Sequence, residues 1–520
     1  MKNSKLLCFV LALVMIITMI PMTVPVSAAT VNGFVYTISN GEVKITDYTG
    51  SAKNMVIPET IEGCPVTKIG TNAFYSTSNL VSVVIPETVK EIDESAFRKC
   101  EALESVVFHK GIPQIKSYVF FDCNKLESVY FIGTQEDWKN IFISDSAGAI
   151  KNKNVTIYYC DKYEQTPEGI TYVISEGRAI ITSYLGSSGE VVVPDAFDDC
   201  PVTLLGAGSF CKNTVITSVV LPDTITEIGT YSFYECKNLV ELTLPTNITT
   251  IWDSMFNSCN ALTKINLSDN ITTIGTYAFG SCRSLTEITL PANITEISNG
   301  MFSNCTRLEK ITIPDNVTTI GEWAFDGCSA LTEIDLPDSL VSVKKYAFSS
   351  CTVLPKIDLP DGVTEIGYQA FSDCYGLTEI TIPANVTTIE EAVFKGCSSL
   401  VKITLPSGLT TIGDSAFYLC SNLKRVYYCG NEEQWSAITV GSKNDYFLNA
   451  NLVYVRIIPG DIDTDGCLTA MDVNLAKRLA CGAVTGTAKQ IEMADVNGDG
   501  IFNGIDINIL ARAVAGVEEQ

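Results

Sequence analysis

Residues 279–301 read FGSCRSLTEITLPANITEISNGM, and the fold of the chain turns on these 23 residues. Counted from Phe279, apolar side chains fall at Cys282, Leu285, Ile288, Leu290, Ile294 and Ile297. Side chains alternate over 286–290, which predicts a short strand there. Pro291 ends it, because proline brings no N–H to a ladder. The next residue after Met301 is again a phenylalanine. Phe210, Phe233, Phe256, Phe279, Phe302, Phe325, Phe348, Phe371, Phe394 and Phe417 hold the 23-residue spacing without an insertion, as do Phe74, Phe97 and Phe120 earlier in the chain. A fixed period of this length means a solenoid, in which no turn can bury its apolar face alone.

Within the unit, Leu285, Ile288, Leu290 and Asn293 follow the L-x-x-L-x-L-x-x-N line of leucine-rich repeats. The companion line Ile274, Gly275, Ala278, Phe279, Cys282, Leu285 resembles the BspA-like leucine-rich repeats of bacterial surface proteins. The resemblance covers roughly residues 30–457 and implies a repeat solenoid of short parallel strands.

The phenylalanine ruler breaks once, between Phe120 and Phe210, and the break divides the solenoid into two blocks. An opening segment occurs twice with an offset of 136, pairing Tyr36 with Tyr172, Tyr48 with Tyr184 and Cys64 with Cys200. A closing segment occurs twice with an offset of 297, pairing Tyr130 with Tyr427, Gly133 with Gly430 and Trp138 with Trp435. The difference, 297 − 136 = 161, is seven whole turns, so the second block is the first lengthened between the same caps. Terminal repeats need such caps to cover the apolar interior. The expected organisation is a signal peptide over 1–29, a first block of three ruler turns over 30–160 and a polar linker over 161–168. A second block of ten turns over 169–457 and a distinct tail over 460–517 follow.

Two columns run along the turns. Eleven of the nineteen cysteines lie three residues after a ruler Phe, with Thr77 and Asn213 in the two remaining places. Stacking puts them in one line, where thiols packed as small apolar residues are favoured over a disulfide ladder. Eight residues after successive ruler Phe stand Glu241, Lys264, Glu287, Lys310, Glu333, Lys356, Glu379 and Lys402. In a parallel in-register sheet a uniform charge column would repel itself, and alternation turns it into a ladder of exposed ion pairs. The alternative is that the stripe reads a ligand. Tyr277, Trp323 and Tyr346, two residues before a ruler Phe, form a weaker ligand candidate on a turn column.

The tail departs from the ruler. Two 12-residue loops, DIDTDGCLTAMD from Asp461 and DVNGDGIFNGID from Asp495, place oxygen donors where an EF-type loop holds calcium. The first set is Asp461, Asp463, Asp465, the Cys467 carbonyl, Thr469 and Asp472. The second is Asp495, Asn497, Asp499, the Ile501 carbonyl, Asn503 and Asp506. Apolar helices are expected over 473–480 and 507–515. Loop-then-helix twice, with loop starts 34 residues apart, resembles a type I dockerin, a small all-α module with two Ca2+ ions that plugs into the cohesin module of a scaffoldin. The resemblance implies cohesin contacts at Ala470, Met471, Lys477 and Arg478 in the first half and Gly504, Ile505, Ala511 and Arg512 in the second. The best-known type I pattern has Ser-Thr where this chain has Ala470-Met471 and Gly504-Ile505, so the cohesin type stays open.

Lys2 and Lys5, an apolar run to Ile20 and the small residues before Ala29 predict a secretory signal, with no membrane span in the mature chain. Removing those two lysines leaves 33 Lys+Arg against 59 Asp+Glu, a net charge of −26 that excludes nucleic acid as a partner. The chain has one histidine, His109, and no zinc-spaced His/Cys cluster or phosphate loop. Repeats, caps and tail occupy every long segment. The reading is a secreted, non-catalytic binding or adhesion subunit of a cellulosome-type complex, extracellular and held at the cell surface through the scaffold. Its repeats would bind an unknown protein or cell-surface ligand. The alternatives are an inhibitor or regulator of other complex components, and a carbohydrate-active enzyme with an unrecognised carboxylate site.

Overall fold

Every turn of the chain hands its backbone hydrogen bonds to the next turn, and three ladders result. The computed structural model describes residues 29–454 apart from 113, 152 and 153, and in the tail 462, 469–481, 494, 496 and 501–515. The first ladder is the expected strand. Glu287–Thr289 pairs in parallel with Lys310–Thr312, which pairs with Glu333–Asp335, each residue opposite its equivalent one turn on. The central Ile288, Ile311 and Ile334 point inward and are buried. A second two-residue strand per turn, such as Glu296–Ile297 against Thr319–Ile320, was not expected, since two residues are too few to show a period.

The third ladder runs beside the ruler. Tyr277, Phe279 and Ser281 donate their N–H groups to the carbonyls of Asn299, Met301 and Ser303 in the next turn. Alternate residues face the same neighbour because the positions two before and two after each ruler Phe are left-handed, as at Tyr277 (φ 53°) and Ser281 (φ 59°). For a residue with a Cβ that conformation costs about 1–2 kcal/mol, and the inter-turn bonds hold it. Gly300 takes the same place at φ 61°, and the Tyr277 ring lies where a Cβ on Gly300 would go.

The ruler rings form the core. Phe233 to Phe417 stack at centroid spacings of 5.3–5.8 Å with planes within 19° of parallel. The caps close the column with more aromatics. Tyr184 covers Phe210 at 5.7 Å, and Phe447 covers Phe417 at 4.7 Å. In the first block Tyr48 covers Phe74 at 5.5 Å. Trp138, on the capped helix α1 (Gln135–Lys139), packs on Phe108 and Phe131. Its equivalent Trp435, on α2 (Glu432–Ser436), packs on Tyr428 and Phe447, the latter carried by α3 (Asp445–Leu448).

Two compact units divide between Lys162 and Tyr163, inside the stretch expected as a linker. Lys162–Gln165 is itself a strand, joined to the sheet of Ile170–Ser175 and Arg178–Tyr184. The first unit differs from the second in its strands. Ser82–Ile85, Ser105–His109 and Ser128–Ile132 are buried on both faces, Val84, Val107 and Tyr130 included, whereas Glu287–Thr289 alternates exposed, buried, exposed.

Candidate functional site

In the tail, Thr469 and Asn503 each cap a helix, α4 (Ala470–Ala480) and α5 (Gly504–Val514). The helices begin earlier than expected, inside the loop motif, because position nine of each loop is an N-cap whose side chain accepts an N–H two residues on, at 3.1 Å from Met471 and 2.8 Å from Ile505. Position twelve closes the capping box. Asp472 accepts from the N–H of Thr469 at 2.7 Å and from that of Ile462 at 2.7 Å, and Asp506 accepts from the N–H of Asn503 at 2.9 Å. Both carboxylates are fully buried. Ile462, Val473, Ala476, Ala494 and Leu510 form the small core between the helices.

Of the expected calcium ligands, Thr469, Asp472, Ile501, Asn503 and Asp506 are therefore placed at the two helix starts. Asp461, Asp463, Asp465, Cys467, Asp495, Asn497 and Asp499 lie outside the described residues. The placed donors fit a hard divalent cation: the Thr469, Asp472, Asn503 and Asp506 side chains and the Ile501 carbonyl all offer oxygen. Asp472 and Asp506 would hold the ion from the helix side.

The sequence profile of the BspA-type leucine-rich repeat region matches residues 46–156, 203–332 and 324–439, well over half of the chain. The chain belongs to that family. The type I dockerin profile matches residues 459–515, so this BspA-type repeat protein carries a C-terminal dockerin, a module that docks to cohesins and binds calcium. Among solved structures it is similar to a leucine-rich repeat protein from Bacteroides ovatus, at 24% identity over 82% of this chain and 100% of that one, with a TM-score of 0.46. A leucine-rich cell surface protein from Faecalibacterium prausnitzii is 27% identical over 54% of this chain and 97% of that one, with a TM-score of 0.33. A leucine-rich repeat protein from Eubacterium ventriosum is 18% identical over 66% of this chain and 94% of that one, with a TM-score of 0.33. No curated protein matches.

The two halves of the dockerin expose their expected cohesin contacts unequally. Ala470, Lys477, Gly504, Ile505 and Arg512 are exposed, whereas Met471, Arg478 and Ala511 are half-buried. Ile505 keeps 59% of its surface, high for an isoleucine on a helix.

On the repeats, the alternating ladder is only partly closed. Lys310 reaches Glu333 at 3.3 Å and Lys402 reaches Glu379 at 2.7 Å, but Lys356 turns to Asp358 at 2.9 Å, two residues further along its own turn. All but half-buried Glu379 are well exposed, so register sets the charges opposite without fixing their side chains. Trp323 and Tyr346 stack on each other at 5.5 Å and Lys345 lies over Trp323, so these rings turn edges rather than faces outward. That geometry weakens them as a platform for sugar rings.

The eleven column cysteines are free and buried, and each thiol donates to the ruler Phe carbonyl one turn back, from Cys100 onto Phe74 at 3.2 Å to Cys420 onto Phe394 at 3.0 Å. The two exceptions follow from this bond. Thr77 and Asn213 stand in the first turn of each block, where no earlier ruler carbonyl exists. Thr77 donates to Phe74 of its own turn, and Asn213 accepts from Val215 and Ile216. Cys429 is disulfide-bonded. His109 ends the strand Ser105–His109, half-buried, and burial lowers its pKa against the opposing pull of Glu87 and Glu59.

Two clusters escaped the sequence reading. In the first block Lys44, Lys68 and Lys116 gather on Asp93 at 3.3, 3.2 and 2.8 Å. In the second, Asp335, Asp338, Asp358 and Asp361 share one cleft with α4. Both lie off the column chosen for its alternation, and their signal is a break in the repeat consensus rather than a motif.

Proposed function

We propose that the protein is a secreted, non-catalytic binding subunit that docks through a two-calcium dockerin onto a scaffoldin cohesin and presents its repeat surface to a protein or cell-surface ligand. The observation that carries this is the pair of buried aspartates, Asp472 and Asp506, each the last carboxylate of an oxygen-rich loop and the third residue of a capped helix. Calcium would lock each loop to its helix and so set the spacing of the cohesin contacts. The repeats add reach rather than chemistry: their recurring interior is aromatic and aliphatic, and their outward columns are short polar side chains and paired charges. The strand face of the second block, exposed at alternate residues, is the surface on which a ligand would rest.

Calorimetric titration of the full chain tests the docking half. Two calcium ions should bind, a type I cohesin module should bind only afterwards, and chelation should release it. Calcium binding with no affinity for any of a set of cohesin modules would remove the scaffold role. Hydrolysis of plant polysaccharide by the pure protein, lost on mutating one carboxylate pair, would move it into the enzyme class.

A further inference from the structure

The second block departs from its own repeat pattern at two adjacent turns. Ten residues after the ruler Phe, Thr289, Thr312 and Thr381 flank Asp335 and Asp358. Thirteen residues after it, Asp315, Asp338 and Asp361 follow one another without interruption. Equivalent positions on neighbouring turns stand about 4.8 Å apart, so these columns set like charges side by side, the arrangement that the Glu/Lys alternation avoids. Lys356 answers Asp358 at 2.9 Å. The other compensation comes from outside the repeats. Arg478 of α4 forms an ion pair with Asp338, and Lys477 and Met471 line the same cleft as the four aspartates. Lys477 and Arg478 are the only two basic residues of α4, and both are brought there.

These are the residues that the dockerin resemblance assigns to the first-half cohesin contact. In the second half, Ala511 also lines a cleft with the repeats, but Ile505 stays open at 59% exposure and Ile501 at 65%. We propose that the acidic cleft of the second block holds α4, covering Met471 and Arg478 and keeping exposed Lys477 beside its carboxylates, so that the full chain offers a cohesin Gly504, Ile505 and Arg512. This rests on the dockerin–cohesin reading. A near-symmetric module would thereby be made to dock one way round, with the solenoid as the device that selects the orientation.

The test is a lysine footprint of the calcium-loaded full chain, acetylated with a water-soluble succinimidyl ester and read by mass spectrometry at Lys477. Replacing Asp335, Asp338, Asp358 and Asp361 with Asn should speed acetylation of Lys477 about fivefold, as expected for a small network of exposed charges, while exposed Lys139 of the first unit is unchanged. Because a fourfold variant could perturb the turns, a charge swap serves as control: Arg478→Asp should speed the labelling of Lys477, and adding Asp338→Arg should slow it again. Equal labelling of Lys477 in all of these proteins overturns the proposal. A type I cohesin module on the same samples separates the two readings. No binding by any of the proteins refutes the docking function and leaves the footprint to decide the masking. Binding lost with Ile505→Asp but kept with Met471→Asp supports the proposal, and the reverse pattern overturns it.

Discussion

The column thiol shows what a single residue does in this fold. Its sulfur fills a space that repeats every turn, and its hydrogen satisfies a carbonyl of the turn before. Burial pushes the Cys259 and Cys305 thiols up to about 12, so they are not thiolates at any physiological pH. Native protein treated with iodoacetamide at pH 8 should therefore be modified at exposed Cys481 and spare the column, which should react only after unfolding. Rapid native labelling of Cys305 would contradict the packing. Cys305→Ala should cost about 1–3 kcal/mol, from the lost volume and an unanswered carbonyl. His109 behaves in the opposite way. Its folded pKa lies below the ordinary 6.5, mainly through burial, so the folded chain favours the neutral ring. Stability from this residue is complete above 6.5 and is lost as pH falls through the folded value. Melting of the wild type should drop across that window, and His109→Gln should flatten this part of the profile. A histidine proton signal titrating above the ordinary value would refute the assignment.

At the scale of the turn, the sequence made one strand legible and hid the other. Ile288 and Leu290 alternate with Glu287 and Thr289 long enough to reveal a period, whereas Glu296–Ile297 is two residues long and is held by its neighbours rather than by its own pattern. The left-handed residues were equally silent, because Tyr, Ser, Trp and Gln occupy positions where glycine would have been a signal. Gly300→Ala should destabilise the second block by about 1–3 kcal/mol, since its Cβ meets the Tyr277 ring. Tyr277→Ala should recover part of that loss, and a double variant no better than the single would show that φ alone is at fault. The charge ladder was legible as a column but not as contacts. Lys310→Glu sets a third carboxylate in line between Glu287 and Glu333, its two register partners. It should lower the melting temperature by an amount worth no more than about 1 kcal/mol, partly restored by salt. Lost ligand binding with unchanged stability would instead make the stripe a recognition surface.

Across the whole molecule, stability is expected to come from two unlike sources. The repeats sum many nearest-neighbour contacts, with Phe packed on Phe from cap to cap, and lose little when one distant part is disturbed. Among the described residues of the dockerin, five apolar core residues and the two position-twelve carboxylates are buried. Residues 459–520 carry ten Asp+Glu against four Lys+Arg, a net charge of −6 concentrated in the loops. Calcium binding should therefore supply much of its folding free energy. The double variant Asp472→Ala and Asp506→Ala removes both position-twelve ligands and both capping boxes at once. It should lose calcium binding, and with it the helix signal of α4 and α5, while the main thermal transition of the repeats stays where it was. Chelation of the wild type should reproduce this, reversibly. If the helix signal of the full chain is indifferent to chelator, or if the double variant melts the repeats together with the tail, then the dockerin is not a calcium-dependent module carried by an independent solenoid.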